Sequence, residues 1–230
     1  MSTGRRAAQL LHYGFFAVRG YQQYLRRRPG LGGAGWPAFG VGGGAVALTV
    51  DDGPHPDWTP PLLDLLARHD IRATFFLVGD RVRERPGLAR RIAAAGHVLG
   101  NHSMTHPQPF AALPPPVQRA EIAGAQAEIE AATGVSPRLF RAPSGNWSAG
   151  VLRATAEQGL APVDWTVNPS DWRRPGTDRI ARALSRSRPG QIMLCHDGGG
   201  DRSQTVAALA RVLPQLLARG LTFTTPAGRR

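Results

Sequence analysis

From residue 45 onward the chain alternates between short apolar runs of strand character and longer segments of helical periodicity. The runs lie at 45–50, 73–78 (ATFFLV), 97–101, 138–141 (RLFR), 161–166, 191–195 (QIMLC) and 221–225 (LTFTT), with helical patterns over 60–69, 86–95, 116–133, 148–158, 178–187 and 203–219 between them. Pro86 and Pro116 stand where a first helical turn accepts proline, and Gly96, Gly134, Gly159 and Gly220 follow helix ends. Consecutive parallel strands need a long crossover, most often a helix, so this alternation predicts a parallel sheet covered by helices. Seven strands and six helices predict an α/β fold, a (β/α)7 TIM-like barrel that is distorted or incompletely closed. A chain of 230 residues can bury a substantial single core of this kind.

The segment before residue 45 has a different character. Arg5, Gln9, His12, Arg19, Gln23 and Arg26 share one face of a helical projection, and Ala7, Leu11, Val18, Tyr21 and Leu25 share the other. A basic amphipathic helix over residues 1–28 is expected, either docked on the main domain or lying on a membrane surface or cell wall. Residues 29–44 contain eight glycines and form an irregular lead-in. The expected division is therefore 1–44 and 45–230. Arg5 and Arg6 precede a short apolar stretch broken by His12 and Gly14, which fits a signal peptide only in part and leaves the compartment open.

The formal charge is +12, and all 28 basic residues are arginine. That balance favours anionic partners, but the arginines are spread along the chain and no nucleic-acid-binding motif accompanies them, so nucleic acid is not expected as a partner. Cys195 is the sole cysteine, which excludes an internal disulfide and a cysteine-rich zinc site.

In a parallel α/β barrel, functional groups collect at the C-terminal ends of the strands. Here those ends carry Asp51 and Asp52 after the first run, His102 and His106 (NHSMTH) after the third, and Arg141 after the fourth. Asp164 and Asp171 follow the fifth, and His196 and Asp197 the sixth. Adjacent carboxylates repel each other, so Asp51-Asp52 calls for a nearby cation, a metal ion or an arginine. Two histidines at i, i+4 converge on one ion from a helical turn or a loop. With an aspartate they make the ligand set of an open metal site, zinc by default, with cobalt, manganese or nickel also accepted.

The segments TVDDGP, HSMTH, RAPSG, SDW and LCH occur in the order and spacing of the polysaccharide deacetylase family, also called the NodB-homology or carbohydrate esterase family 4 domain. The resemblance covers residues 45 to about 226. It implies that Asp51 is the general base that activates water at the metal, that Asp52 ligates the metal with His102 and His106, and that Arg141 orients the base. It implies further that His196 is the general acid, that Asp171 tunes it, and that Trp172 and Leu194 line the pocket for the acetyl methyl group. Pro143 and Ser144 belong to the third motif, where a backbone N–H near Ser144 would complete an oxyanion hole.

Two residues depart from the family pattern. Val50 replaces a common Phe and keeps the strand. Ser144 replaces a common aromatic residue, which removes a wall of the sugar groove that Trp147 is a candidate to replace. The implied activity is removal of N-acetyl groups from amino sugars of peptidoglycan or a chitin-like oligosaccharide, by a monomer of the cell envelope or outside it. Two alternatives stay open: the same chemistry on a small N-acetylated metabolite or cyclic amide, and an inactive carbohydrate-binding protein. Asn146, Asp164, Asp197, Asp201, Trp58 and Trp165 have structural readings at least as good as functional ones.

Overall fold

The computed structural model describes Val41 and residues 44–226, so the expected N-terminal helix and nearly all of the glycine-rich lead-in lie outside the described residues. The elements run β1 (Val46–Gly53), α1 (Thr59–Arg68), β2 (Thr74–Leu77), α2 (Gly79–Glu84), α3 (Pro86–Ala94), β3 (Val98–Asn101), α4 (Pro115–Thr133) and β4 (Leu139–Phe140). They continue with α5 (Ala149–Glu157), β5 (Ala161–Pro162), α6 (Thr177–Leu184), β6 (Ile192–His196), α7 (Ser203–Ala218) and β7 (Phe223–Thr224).

Every pairing is parallel, in the order β5-β4-β3-β2-β1-β6, and β7 pairs with the first residues of β1. A bridge between Val167 and Met193 joins the segment after β5 to β6. The expected distorted barrel is thus present, six strands around and a seventh at its foot. Its closure is irregular because β5 pairs with β4 through two residues only, one of them a proline without an N–H to give.

The runs are nearly all apolar because both faces of each strand are covered. Val46, Leu48 and Val50 face the helices, packing with Leu62, Leu66, Ile180, Leu209 and Leu213. Ala47 faces inward and shares the interior with Phe76, Leu139, Val163 and Ile192. The same two-residue period carries Thr49 and Asp51 inward on β1, Arg141 after β4, and Leu194 and His196 on β6. The strands bring the functional side chains to one end of the barrel simply by ending there.

Six of the seven helices fall where periodicity predicts them. Gly134 closes α4 in the left-handed region (φ 71°), a conformation that favours glycine. The helix not foreseen is α2, six residues long and polar on most positions, which starts directly at the end of β2. It is too short to show a period. Tertiary contact fixes it instead: the amides of Gly79 and Asp80 donate to the carbonyls of Ser103 and Met104 at 3.0 and 2.9 Å. Three strands expected at 138–141, 161–166 and 221–225 shorten to two residues each.

Phe76 fills the barrel interior opposite Gly100, its register partner on β3, where a Cβ would stand 2.4 Å from the ring. Gly100→Ala is expected to destabilise the fold by about 1–3 kcal/mol through overpacking. Exposed Gly87, open to ordinary contact, should tolerate alanine without loss. Urea titration of the two variants measures the difference.

Candidate active site

In a regular strand, neighbouring side chains point to opposite faces. Asp51 and Asp52 nevertheless reach the same imidazole: Asp51 Oδ2 lies 3.7 Å and Asp52 Oδ1 3.5 Å from His102 Nε2. The register of β1 against β2 slips between Asp51 and Gly53, and Asp52 sits at φ 72°. This bulge turns the second carboxylate back toward the first, as bulges near functional sites do.

Asp51 is buried and pairs with the fully buried guanidinium of Arg141, Nη1 to Oδ1 2.7 Å. Arg141 spends its other donors on Thr49 Oγ1 at 2.8 Å and on the carbonyls of Val163 and Asp164 at 3.4 and 3.0 Å. Its plane lies 4.2 Å from the Phe76 ring centre and 5.5 Å from that of Trp165. Every face of the cation is occupied, so its position fixes that of Asp51.

The HSMTH segment is a loop, with Ser103 and His106 at positive φ. His102 Nδ1 is 2.7 Å from the carbonyl of Arg141; since a carbonyl only accepts, Nδ1 carries the proton and Nε2 is left with a lone pair. His106 Nε2 lies 3.2 Å from Asp52 Oδ1. Its N–H is held by Ser103 Oγ at 3.1 Å, and Glu121 on α4 accepts from both the N–H and the hydroxyl of Thr105 at 2.8 Å. Burial, then the neighbouring His102, lowers the His106 pKa to about 4, which keeps the ring in the neutral, ligating form. Burial opposes ionisation of Asp52, but the adjoining imidazole of His102 and the charge of His196 outweigh it and hold the carboxyl well below the usual range.

On the other edge of β1, Asp51 and His196 are direct register partners across the β1–β6 ladder. His196 Nδ1 lies 2.8 Å from Asp171 Oδ1, and its backbone N–H donates to Asp171 Oδ2 at 2.9 Å. Thr205, on α7, donates to the same Oδ2 at 3.0 Å. Burial disfavours the imidazolium, yet the bond to Asp171 and the charges of Asp171, Asp52 and Asp51 raise the His196 pKa to about 9.

Leu194 is buried on β6 facing inward, while Trp172 is 49% exposed next to Asp171. Pro143 is buried, and Ser144 is exposed with φ 56°. Trp147 donates to Asp164 Oδ2 at 3.1 Å and packs edge-on against Phe140, so one of its faces serves the core. Asp164 is buried and holds the loop after β5, as its structural reading expects; burial raises its pKa to about 7. Asn146 accepts from the Ala111 N–H at 2.6 Å and is likewise a packing residue.

A sequence profile of the Polysaccharide deacetylase family matches residues 40–163. A chitooligosaccharide deacetylase of Sinorhizobium fredii is 46% identical over 195 residues, covering 80% of this chain and 91% of its own. The chain belongs to the polysaccharide deacetylase family. A peptidoglycan-N-acetylglucosamine deacetylase of Bacillus cereus is 38% identical over 191 residues, covering 78% of this chain and 85% of its own. The solved structure of a family 4 carbohydrate esterase from Streptomyces lividans in complex with acetate superposes with a TM-score of 0.73 at 38% identity, covering 78% of this chain and 91% of that one.

In this member of the polysaccharide deacetylase family, one ligand atom from each of Asp52, His102 and His106 lies within 4.8 Å of the others. Asp52 Oδ1 is buried with no hydrogen-bond partner and faces two imidazole nitrogens. An orphaned carboxylate oxygen opposite two nitrogen lone pairs fits a divalent cation and little else. The supporting residues Glu121, Thr205 and Thr49 escape a sequence reading because each stands in a helix or strand whose pattern it does not disturb. Only the fold brings them to the strand ends.

In the metal-free protein, the raised pKa of His196 means that its ring keeps its proton through neutral pH and loses it near pH 9. Histidine NMR titration of the metal-free protein should show one ring with a midpoint there, and Asp171→Asn should lower it by about one unit or more. A midpoint unmoved by that change would contradict the pairing.

Proposed function

We propose that the protein is a metal-dependent hydrolase that removes N-acetyl groups from the amino sugars of a polysaccharide, a chitin-like oligosaccharide or peptidoglycan. The observation that carries this reading is the register of β1 and β6, which sets Asp51 and His196 side by side while Asp52, His102 and His106 group beside them. Base, metal set and acid thus line one small volume, as amide hydrolysis requires.

Asp52, His102 and His106 would hold the cation, zinc by default for two imidazoles and a carboxylate, with cobalt, manganese and nickel as further candidates. A divalent cation held there supplies Lewis acidity: it acidifies water toward neutral pH and polarises the acetamide carbonyl. Asp51, aimed by Arg141, takes the proton of the attacking water. The backbone N–H at Ser144 faces the charge that develops on the carbonyl oxygen. His196, protonated through its pair with Asp171, gives its proton to the nitrogen as the C–N bond breaks, releasing acetate and a free amine. Leu194 and Trp172 bound the space for the acetyl methyl, and Trp172, Trp147 and Pro143 line the sugar groove. Residues 45–230 carry this activity as one domain, and the basic segment 1–28 is a candidate for docking on it or for contact with a membrane surface or cell wall.

The two curated relatives described above are named for chitooligosaccharide and peptidoglycan substrates, and these are the substrates to test. Purified protein stripped of metal and then supplied with zinc or cobalt should release acetate from one or both. A folded protein that binds the metal and releases acetate from neither contradicts the polysaccharide reading. Asp51→Asn should lower kcat by about 10²–10⁴-fold and keep its metal, whereas His102→Ala should lose both. Normal metal content in His102→Ala, read by elemental analysis, would show the ligand assignment to be wrong.

A further inference from the structure

The carboxylate of Asp52 faces the two imidazoles, but its main chain faces elsewhere, and what grips it there has no part in the reaction just described. The bulge after Asp51 and the positive φ of Asp52 turn its carbonyl out of the β1–β2 ladder. A non-glycine residue in that region persists only where its surroundings hold it. Arg81, on α2, donates from Nη1 to this carbonyl. The turn after His196 closes on the same group. A Cβ at Gly198 would stand 1.8 Å from Asp52 O and 2.5 Å from Arg81 Nη1, and one at Gly199 would stand 2.9 Å from Asp52 Oδ2.

That turn is itself fixed. Arg202 donates to the carbonyls of Gly198 and Gly199 at 2.7 and 3.0 Å. Asp197 donates its N–H to the Asp51 carbonyl at 3.1 Å and accepts from Thr59 Oγ1 at the start of α1. A guanidinium and a glycine turn therefore meet at the Asp52 backbone carbonyl and hold it. On charge alone, a cation beside a metal site opposes metal binding. Arg81 also faces the buried Asp197 carboxylate; against the Asp52 carbonyl, what it contributes is geometry.

Resting on the assignment of Asp52, His102 and His106 as the metal set, we propose that Arg81 is a positioning residue for the metal carboxylate. It acts through the backbone of Asp52, with the Gly198 turn packed against the same carbonyl. An aspartate has two side-chain torsions, so a fixed main chain leaves its carboxylate few places to go. A shift of the backbone passes directly to the ligand oxygen.

The test uses the full-length protein stripped of metal, titrated with Zn²⁺ against a chromophoric chelator, and with Co²⁺ followed by its visible spectrum. Arg81→Met should weaken Zn²⁺ binding by about 10–100-fold and alter the Co²⁺ bands, while Arg81→Lys, which keeps a donor of similar reach, should recover most of the affinity. A cation acting by charge alone predicts the reverse: Arg81→Met would then tighten binding. Tighter or unchanged affinity therefore overturns the proposal.

Gly198 lies outside the positive-φ region, so Gly198→Ala costs no backbone strain there and displaces only its neighbours, and it too should weaken Zn²⁺ binding. If Arg81→Met lacks a cooperative thermal transition, Gly198→Ala decides alone, and wild-type affinity in it overturns the proposal. Wild-type protein that binds no Zn²⁺, or His102→Ala that binds it as tightly as wild type, would instead overturn the ligand assignment on which the proposal rests.

Discussion

The site depends on one buried cation. Arg141 points into the barrel from the end of β4, where an unpaired charge would be untenable, and it is accommodated because Asp51 pairs with it and Thr49, Val163 and Asp164 accept three further hydrogen bonds from it. Its backbone carbonyl meanwhile fixes the tautomer of His102. A single residue thus aims the carboxylate that takes a proton and sets which nitrogen of His102 is free to ligate. It also ties down the segment that follows β5, through the carbonyls of Val163 and Asp164.

Around that cation, the parallel register decides which groups meet. Asp51 pairs in register with His196 on one side and Phe76 on the other, so acid and base come from adjacent strands and the metal set from the next edge. The environments of the groups then diverge. Asp52 is held ionised among imidazoles, His106 is held neutral by burial, and His196 is held protonated by Asp171. Groups of one chemical kind, two histidines, take opposite protonation states within one site: the hydrogen bond to Asp171 outweighs burial at His196, whereas burial and the neighbouring His102 outweigh Asp52 at His106.

Much of this was legible in the chain itself. Strand-helix alternation gives the parallel sheet covered by helices, which buries such runs on both faces, and the strand ends name Asp51, Asp52, His102, His106, Arg141, Asp171 and His196, which the fold does bring together. What the sequence withholds is local geometry set by tertiary contact. Nothing in VDDGP announces a bulge, yet without it Asp51 and Asp52 would face opposite ways. GDRVRE is too short and too polar to declare itself a helix, but its first amides seat the histidine loop. Trp147 reads as a groove residue and is found with its indole N–H committed to Asp164 and its edge to Phe140, because an aromatic at a strand end serves core and surface alike.

The most direct test of the account is anomalous diffraction at the zinc edge from crystals of the zinc-loaded protein. The account predicts one strong peak bound by Asp52 Oδ1, His102 Nε2 and His106 Nε2, with Asp51 still on Arg141 and outside the ligand shell. A peak coordinated by Asp51 in place of Asp52, or a metal bound away from these two histidines, would contradict it.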